Sequence, residues 1–314
     1  MLQSYPNDSH ASIEASRWID LINPTDAEME AVRREFGVQV PTRDEIEEIE
    51  SSSRLHLDGK TLYMTAPLIA GTNTDQWRAA PAAFILSSQL CVTVRFSQLD
   101  AFDAVMRELR GDTDTSSADI LIRLLEEVVD RAADQLERAA ASVSKASHAV
   151  FFEAHGGRGL SKDTAVLRDV MRQIGQAGDR AAQIRYMFLS IGRMAAYIID
   201  RSEPMLEGAI RERLEAIRHD ILSLDEFEVS LSNRIQLVLD AATGFINIEQ
   251  NDVVKVLTVA SVVGVPPVFV VGVYGMNFRH MPELGWAFGY PIALALCVAS
   301  AVIPWLFFKR RGWL

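Results

Sequence analysis

Two stretches near the C-terminus restrict the fold more than anything else in the chain. Val256 to Tyr274 and Pro291 to Phe308 contain no charged side chain, and each is long enough as a helix to cross a hydrocarbon core about 30 Å thick. A helix on a soluble surface needs charge on its wet face, so two adjacent uncharged spans point to a pair of membrane crossings. The flanks agree. Lys255 precedes the first span and Lys309, Arg310 and Arg311 follow the second, while residues 275–290 between them carry only Arg279 and Glu283 as formal charges. Basic flanks favour the cytoplasmic side, which puts both termini there in an inner, or cell, membrane. Trp286, Tyr290, Trp305 and Trp313 stand where the interfaces are expected.

The 314 residues have ordinary soluble composition, 49% hydrophobic and 23% charged, so the spans are a minority of the chain. A formal net charge of −11 excludes a nucleic-acid surface, which needs clustered Lys and Arg, and suits the collection of cations instead. Cys91 and Cys297 lie far apart and form neither a disulfide framework nor a thiolate zinc site, which fits a reducing compartment. Met1 to Asp20 has no apolar core of the kind a secretory signal needs, so the N-terminal part is expected in the cytosol.

Residues 1–117 read as a cytosolic α/β domain. Trp18 to Ile22 alternates as a strand, and Asn23-Pro24-Thr25 starts a helix running to about Phe36. Arg54–Leu57 and Thr61–Ile69 flank Asp58-Gly59, and Ala82–Leu86 and Leu90–Phe96 flank Ser87–Gln89, two hairpin patterns. Residues 118–202 read as a helical hairpin: a helix over Asp119–Phe152, a turn at Gly156, Gly157 and Gly159, and a second helix from Lys162 to Asp200. Those glycines are no phosphate loop, because no strand precedes them and no Lys-Ser or Lys-Thr follows. A break at Glu203-Pro204 opens a stalk helix, residues 203–255, that continues into the first span, 256–274. The second span, 291–308, ends in a basic tail, 309–314. Pro266-Pro267 remove two backbone donors from the first span and predict a bend or loosening there.

Two helices cannot wall off water from lipid, so any aqueous path requires several copies of the chain. No HExxH, P-loop, G-x-S-x-G or Cys-His pattern is present, and the six histidines form no close ligand pair, so no enzyme and no catalytic cofactor is indicated. Asp44, Glu45, Glu47, Glu48 and Glu50 form the densest acidic run, which reads as a solvated helix face.

Between the spans stand Tyr274-Gly275-Met276-Asn277 and Met281-Pro282-Glu283-Leu284, framed by Asn251-Asp252-Val253-Val254-Lys255 and the Lys309–Leu314 tail. This pattern resembles the signature loop of the CorA family, in which Gly-Met-Asn closes the first span. The resemblance is carried by motifs from about Asp240 onward and by the order of elements before that. It implies an α+β membrane protein assembled as a funnel-shaped homopentamer, with the first span lining the pore. It also implies magnesium as substrate and regulatory ligand, with cobalt or nickel carried by some members.

Magnesium holds its six waters tightly, so a filter that hydrogen-bonds to the hydrated ion suits it better than one that strips it. A ring of Asn277 amide oxygens meets that need, with Gly275 allowing a close backbone turn and Met276 shaping the mouth. Taken alone, Gly275 and Asn277 would equally suit a helix C-terminus in left-handed geometry. Below Asn277, Gly272, Val268, Val265, Ser261, Leu257, Val254 and Asn251 follow one another at helical steps of three and four residues on one face, a mostly apolar line able to gate by dewetting. Relatives often carry Thr where this chain has Val268. The resemblance also implies a regulatory magnesium at Asp240, and Glu283 in the loop can draw cations to the mouth. The alternative is a zinc transporter of the ZntB type, with or without proton coupling; its usual loop lacks Met-Pro-Glu-Leu, and His280 alone makes a poor zinc site.

Overall fold

A computed structural model describes residues 1–5, 16–48, 54–71, 77–110, 115–153, 160–201, 208–279 and 281–313. The expected turn at Gly156–Gly159, the break at Glu203-Pro204, and the residues Glu50 and His280 lie outside them. The chain divides into two units, one of residues 1–153 and 169–239, the other of residues 154–168 and 240–314.

In the first unit a six-stranded sheet is built from β1 (Leu2–Tyr5), β2 (Trp18–Ile22), β3 (Leu55–Asp58), β4 (Thr61–Ala70), β5 (Arg78–Leu86) and β6 (Cys91–Arg95), in the order β1-β2-β6-β5-β4-β3. Both expected hairpins form: Asp58 pairs with Thr61 across Gly59, whose φ of 59° is the turn's left-handed position, and Leu86 pairs with Cys91. β5 begins four residues before the expected start, which Pro81 had obscured. Pro81 stands directly opposite Pro67 of β4. Neither proline breaks the sheet, because β3 pairs with β4 only as far as Met64 and β6 reaches β5 only from Ala82, so no ladder bond is missed there.

One face of the sheet packs on α1 (Asp26–Phe36) and α2 (Arg43–Glu47), burying Ile19, Leu21, Val32, Ile46, Ile85, Val92 and Val94 together. Both helices open on capping boxes, Thr25 with Glu28 and Thr42 with Glu45. The other face is covered by α3 (Asp100–Glu108) and α4 (Ser117–His148). β1 and α3 were not expected from the sequence. The alternation in β2 and β6 suggests one wet face, yet Asp20, Thr93 and Arg95 are buried under α3. They survive there by pairing with one another: Arg95 binds Asp20 at 2.8 Å, Thr93 donates to Asp20 at 2.7 Å, and Trp18 donates to Thr93 at 3.0 Å.

α4 ends in a π-helical turn, Ala149–Glu153, and α5 (Leu160–Arg201) and α6 (Gly208–Tyr274) follow. Within the first unit α4, α5 and α6 pack through Leu125, Leu136, Ile184, Phe188, Ile191, Leu214 and Ile217, all buried. Ion pairs register them: Arg213 of α6 holds Asp119 and Glu126 of α4, and Arg185 of α5 lies 3.3 Å from Asp225 and Glu228 of α6. In the second unit α6 ends and α7 (Gly289–Arg310) follows a short 3-10 turn, Pro282–Gly285. α6 remains helical through Pro266 and Pro267, so the two prolines do not terminate it.

Candidate functional site

The site is built on the last turns of α6 and the segment that follows. Lys255, paired with Asp252 at 2.8 Å, stands at the foot of the uncharged stretch. Above it the half-buried or buried positions Val259, Val263, Pro266, Val270 and Tyr274 recur at steps of three and four residues, which is one stripe of a helix. A matching stripe on α7 comprises Ala293, Cys297, Ser300, Pro304 and Phe308. The two meet where the Cys297 thiol lies 3.9 Å from the Pro267 carbonyl.

At about 100° per residue, Val254, Leu257, Ser261, Val265, Val268 and Gly272 fall on the face of α6 opposite that stripe, with Asn251 at its edge. All seven are exposed. Val268 is 71% exposed and Leu257 67%, against 6% for Val259 on the covered stripe. Ser261 donates its hydroxyl hydrogen to the Leu257 carbonyl at 2.8 Å, so only its oxygen lone pairs are left on an otherwise apolar line.

The helix closes through Gly275, whose N–H donates to Val271 at 2.9 Å, and Met276, whose N–H donates to Val273 at 3.3 Å. A Cβ at position 275 would lie 3.1 Å from the Val271 carbonyl oxygen, which explains glycine there. The left-handed ending that suits Gly and Asn is not used: among the described residues positive φ occurs at Asn23, Gly37, Gly59, Gly71 and Gly312. Asn277 is therefore no left-handed cap. It follows the last helical turn in non-helical backbone, exposed, as do Gly275 and Met276. Such an amide, free of any local capping duty, can turn its carbonyl to a hydrated cation.

Asp240 is exposed on α6, and its carbonyl accepts from the Thr243 hydroxyl at 2.9 Å. Glu283 lies in the 3-10 turn Pro282–Gly285. Of the acidic run, Asp44, Glu45, Glu47 and Glu48 are exposed; Glu45 serves its capping box and Glu47 pairs with Arg43 at 2.8 Å. That is the solvated helix face expected. No group of three or more His, Cys, Asp or Glu side chains able to hold a metal occurs among the described residues. What sequence reasoning missed is the covered stripe on α6, on which Pro266 is half-buried. The signal was present, since Val259, Val263, Pro266, Val270 and Tyr274 share one face, but an all-apolar span offers no polar face to contrast with it.

Comparison with known proteins gives a consistent result. The family model described as a CorA-like Mg2+ transporter protein matches residues 14–310. The magnesium transport protein CorA of Pectobacterium atrosepticum is 32% identical over 309 residues, 98% of this chain and 95% of that protein. The complete CorA magnesium transporter structure from Methanocaldococcus jannaschii superposes with a TM-score of 0.74 at 19% identity, over 98% of this chain and 95% of that one. The cytoplasmic domain of ZntB from Vibrio parahaemolyticus shares the fold more distantly, with a TM-score of 0.54 at 12% identity over 73% of this chain and 87% of that one. With the family model spanning nearly the whole sequence and a full-length relative at this identity, the chain belongs to the CorA family.

Proposed function

We propose that copies of this chain assemble around a central path and conduct hydrated magnesium across the membrane into the cytosol, driven by the membrane potential. One observation carries the reading: the line of seven positions from Gly272 down to Asn251 is exposed, on the side of α6 turned away from the stripe that meets α7. A helix covered on one side by its own partner and bare on the other suits a ring in which α6 lines the axis and α7 faces lipid. The relatives' magnesium transport supports the choice of ion. We take the ring to be the homopentamer that the family resemblance implies, with both termini cytoplasmic.

Each element of the site then has a task. Gly275 and Met276 turn the chain so that Asn277 amides ring the outer mouth and bind the ion's waters, and Glu283 concentrates cations beside them. The line from Gly272 down to Asn251 is the gate, dewetted when narrow. Asp240 binds magnesium from the cytosol and holds the ring closed, and loss of that ion lets the acidic faces part. Inward movement of a doubly charged ion gains roughly 4 to 5 kcal/mol per 100 mV, so no other energy source is needed.

The test is flux into proteoliposomes under an imposed potential. Asn277→Ala is expected to reduce magnesium entry at least about tenfold while the assembled particle keeps its mass, as loss of a single polar selectivity group at a filter should. Unchanged flux and ion preference in that variant would remove the filter from the reading. Parallel arms with cobalt, nickel and zinc, the last with and without a proton gradient, separate magnesium uptake from ZntB-like zinc transport.

A further inference from the structure

α7 ends in a compact basic and aromatic knot. Gly312 takes a φ of 71°, its N–H donates to the Lys309 carbonyl at 3.2 Å, and the Trp313 N–H donates to the Phe308 carbonyl at 3.1 Å. This is a Schellman ending, and its apolar contact is present: the Trp313 and Phe308 rings stack with centroids 5.2 Å apart. The fold-back satisfies the last carbonyls internally and returns Trp313 alongside the helix. Two of the three cations are held against rings, the Lys309 ammonium 4.8 Å from the Trp305 centroid and the Arg311 guanidinium 5.3 Å from that of Phe307.

These groups are placed but not neutralised. Among the described residues no carboxylate pairs with Lys309, Arg310 or Arg311, although acidic side chains outnumber basic ones 42 to 31. Lys255, at the foot of the other span, does have its Asp252. The indole N–H groups of Trp305 and Trp313 likewise donate to nothing among the described residues. A cation over an aromatic face keeps its N–H donors for another acceptor. Three cations and two free indole donors within nine residues, at the end of an uncharged span, match the depth and charge of a phospholipid phosphate.

We propose that the end of α7 is a headgroup site for an anionic glycerophospholipid of the leaflet facing the C-terminus, with Lys309, Arg310 and Arg311 holding the phosphate and Trp305 and Trp313 the glycerol region. The inference rests on α7 being a membrane span but not on any role of Asn277.

The test uses the full chain in phosphatidylcholine vesicles containing a minor fraction of brominated phosphatidylglycerol or brominated phosphatidylcholine. Bromine quenches nearby tryptophan, and Trp305→Phe and Trp313→Phe assign the signal. At low salt, phosphatidylglycerol is expected to quench these two residues at least about twofold more than phosphatidylcholine, with the preference fading as salt screens the charges. The triple variant K309Q/R310Q/R311Q should lose the preference while keeping its quenching by phosphatidylcholine. Equal quenching in the unmodified protein overturns the proposal, as it would if carboxylates of neighbouring copies already occupied the cations. So does a preference that survives in the triple variant, or one abolished by millimolar inorganic phosphate at constant ionic strength. Quenching by neither lipid would also remove the membrane placement of α7, whereas a failure of the Asn277 flux test leaves this result standing.

Discussion

At the scale of single residues, the least expected feature is the charge pair buried inside the first unit. Asp20 and Arg95 are both almost wholly inaccessible, and Arg95 also reaches Asp103 at 3.2 Å and lies over the Phe102 ring at 4.9 Å. A buried pair adds little net stability, but removing one partner strands the other charge in a medium that solvates it poorly. Arg95→Met is therefore expected to destabilise the cytosolic unit by about 3 to 5 kcal/mol. Restoring neutrality with Asp20→Asn in the same chain should recover a large part of that. Denaturant titration followed through Trp18, which is fully buried and bonded to Thr93, reads both. Equal stability of the single and double variants would show that the charge is not what matters. Cys91, next to this network, is buried and near Asp20, which pushes its thiol far above the usual range and keeps it unreactive.

At the scale of elements, what could be read in advance depended on whether the signal was local. Capping residues, the Asp58-Gly59 turn and the uncharged spans speak for themselves within a few residues, and α1, both hairpins and the two long apolar helices appear where they were expected. β1 and α3 depend on distant partners: Leu2–Tyr5 is a strand because β2 offers it an edge, and α3 is fixed by Phe102 packing on Phe84. The second covered face of the sheet was hidden for the same reason, since Asp20 and Thr93 read as wet until α3 and α4 are in place. The charge on Asp130 of α4 has mostly local causes, with one distant partner, Asp220 of α6, added by packing. Its carboxyl is pushed above the usual range by partial burial and by Glu127, Glu126, Asp220 and Asp134. A carboxyl whose folded value is raised weakens the fold once pH exceeds its unfolded value near 3.9, and fully so above the folded one. Asp130→Asn should therefore raise the thermal midpoint at neutral pH, and the gain should vanish as pH falls below about 4. Thermal melts across that range check the sign, and a variant that melts lower at neutral pH would contradict it.

At the scale of the whole molecule, the two faces of α6 make opposite predictions for the same chemical change. Val265 lies on the bare face, 62% exposed, and Val259 on the face turned to α7, 6% exposed. If several copies close around the bare face, a hydroxyl at 265 enters the narrow apolar path, where it binds water and lowers the cost of wetting. Val265→Ser should then raise magnesium flux several-fold at internal magnesium high enough to keep the unmodified ring shut. Asp240→Asn should do so as well if, as proposed, a magnesium ion on Asp240 holds the ring shut. Val259→Ser places the same hydroxyl in a helix contact, where it can bond back to its own backbone and only loosens packing. That variant should lose some assembly stability without gaining flux. Paired flux and mass measurements on the two serine variants distinguish the faces. A gain at 259 rather than 265 would mean that the path runs along the α7 side, and that the open face of α6 meets lipid instead of ions.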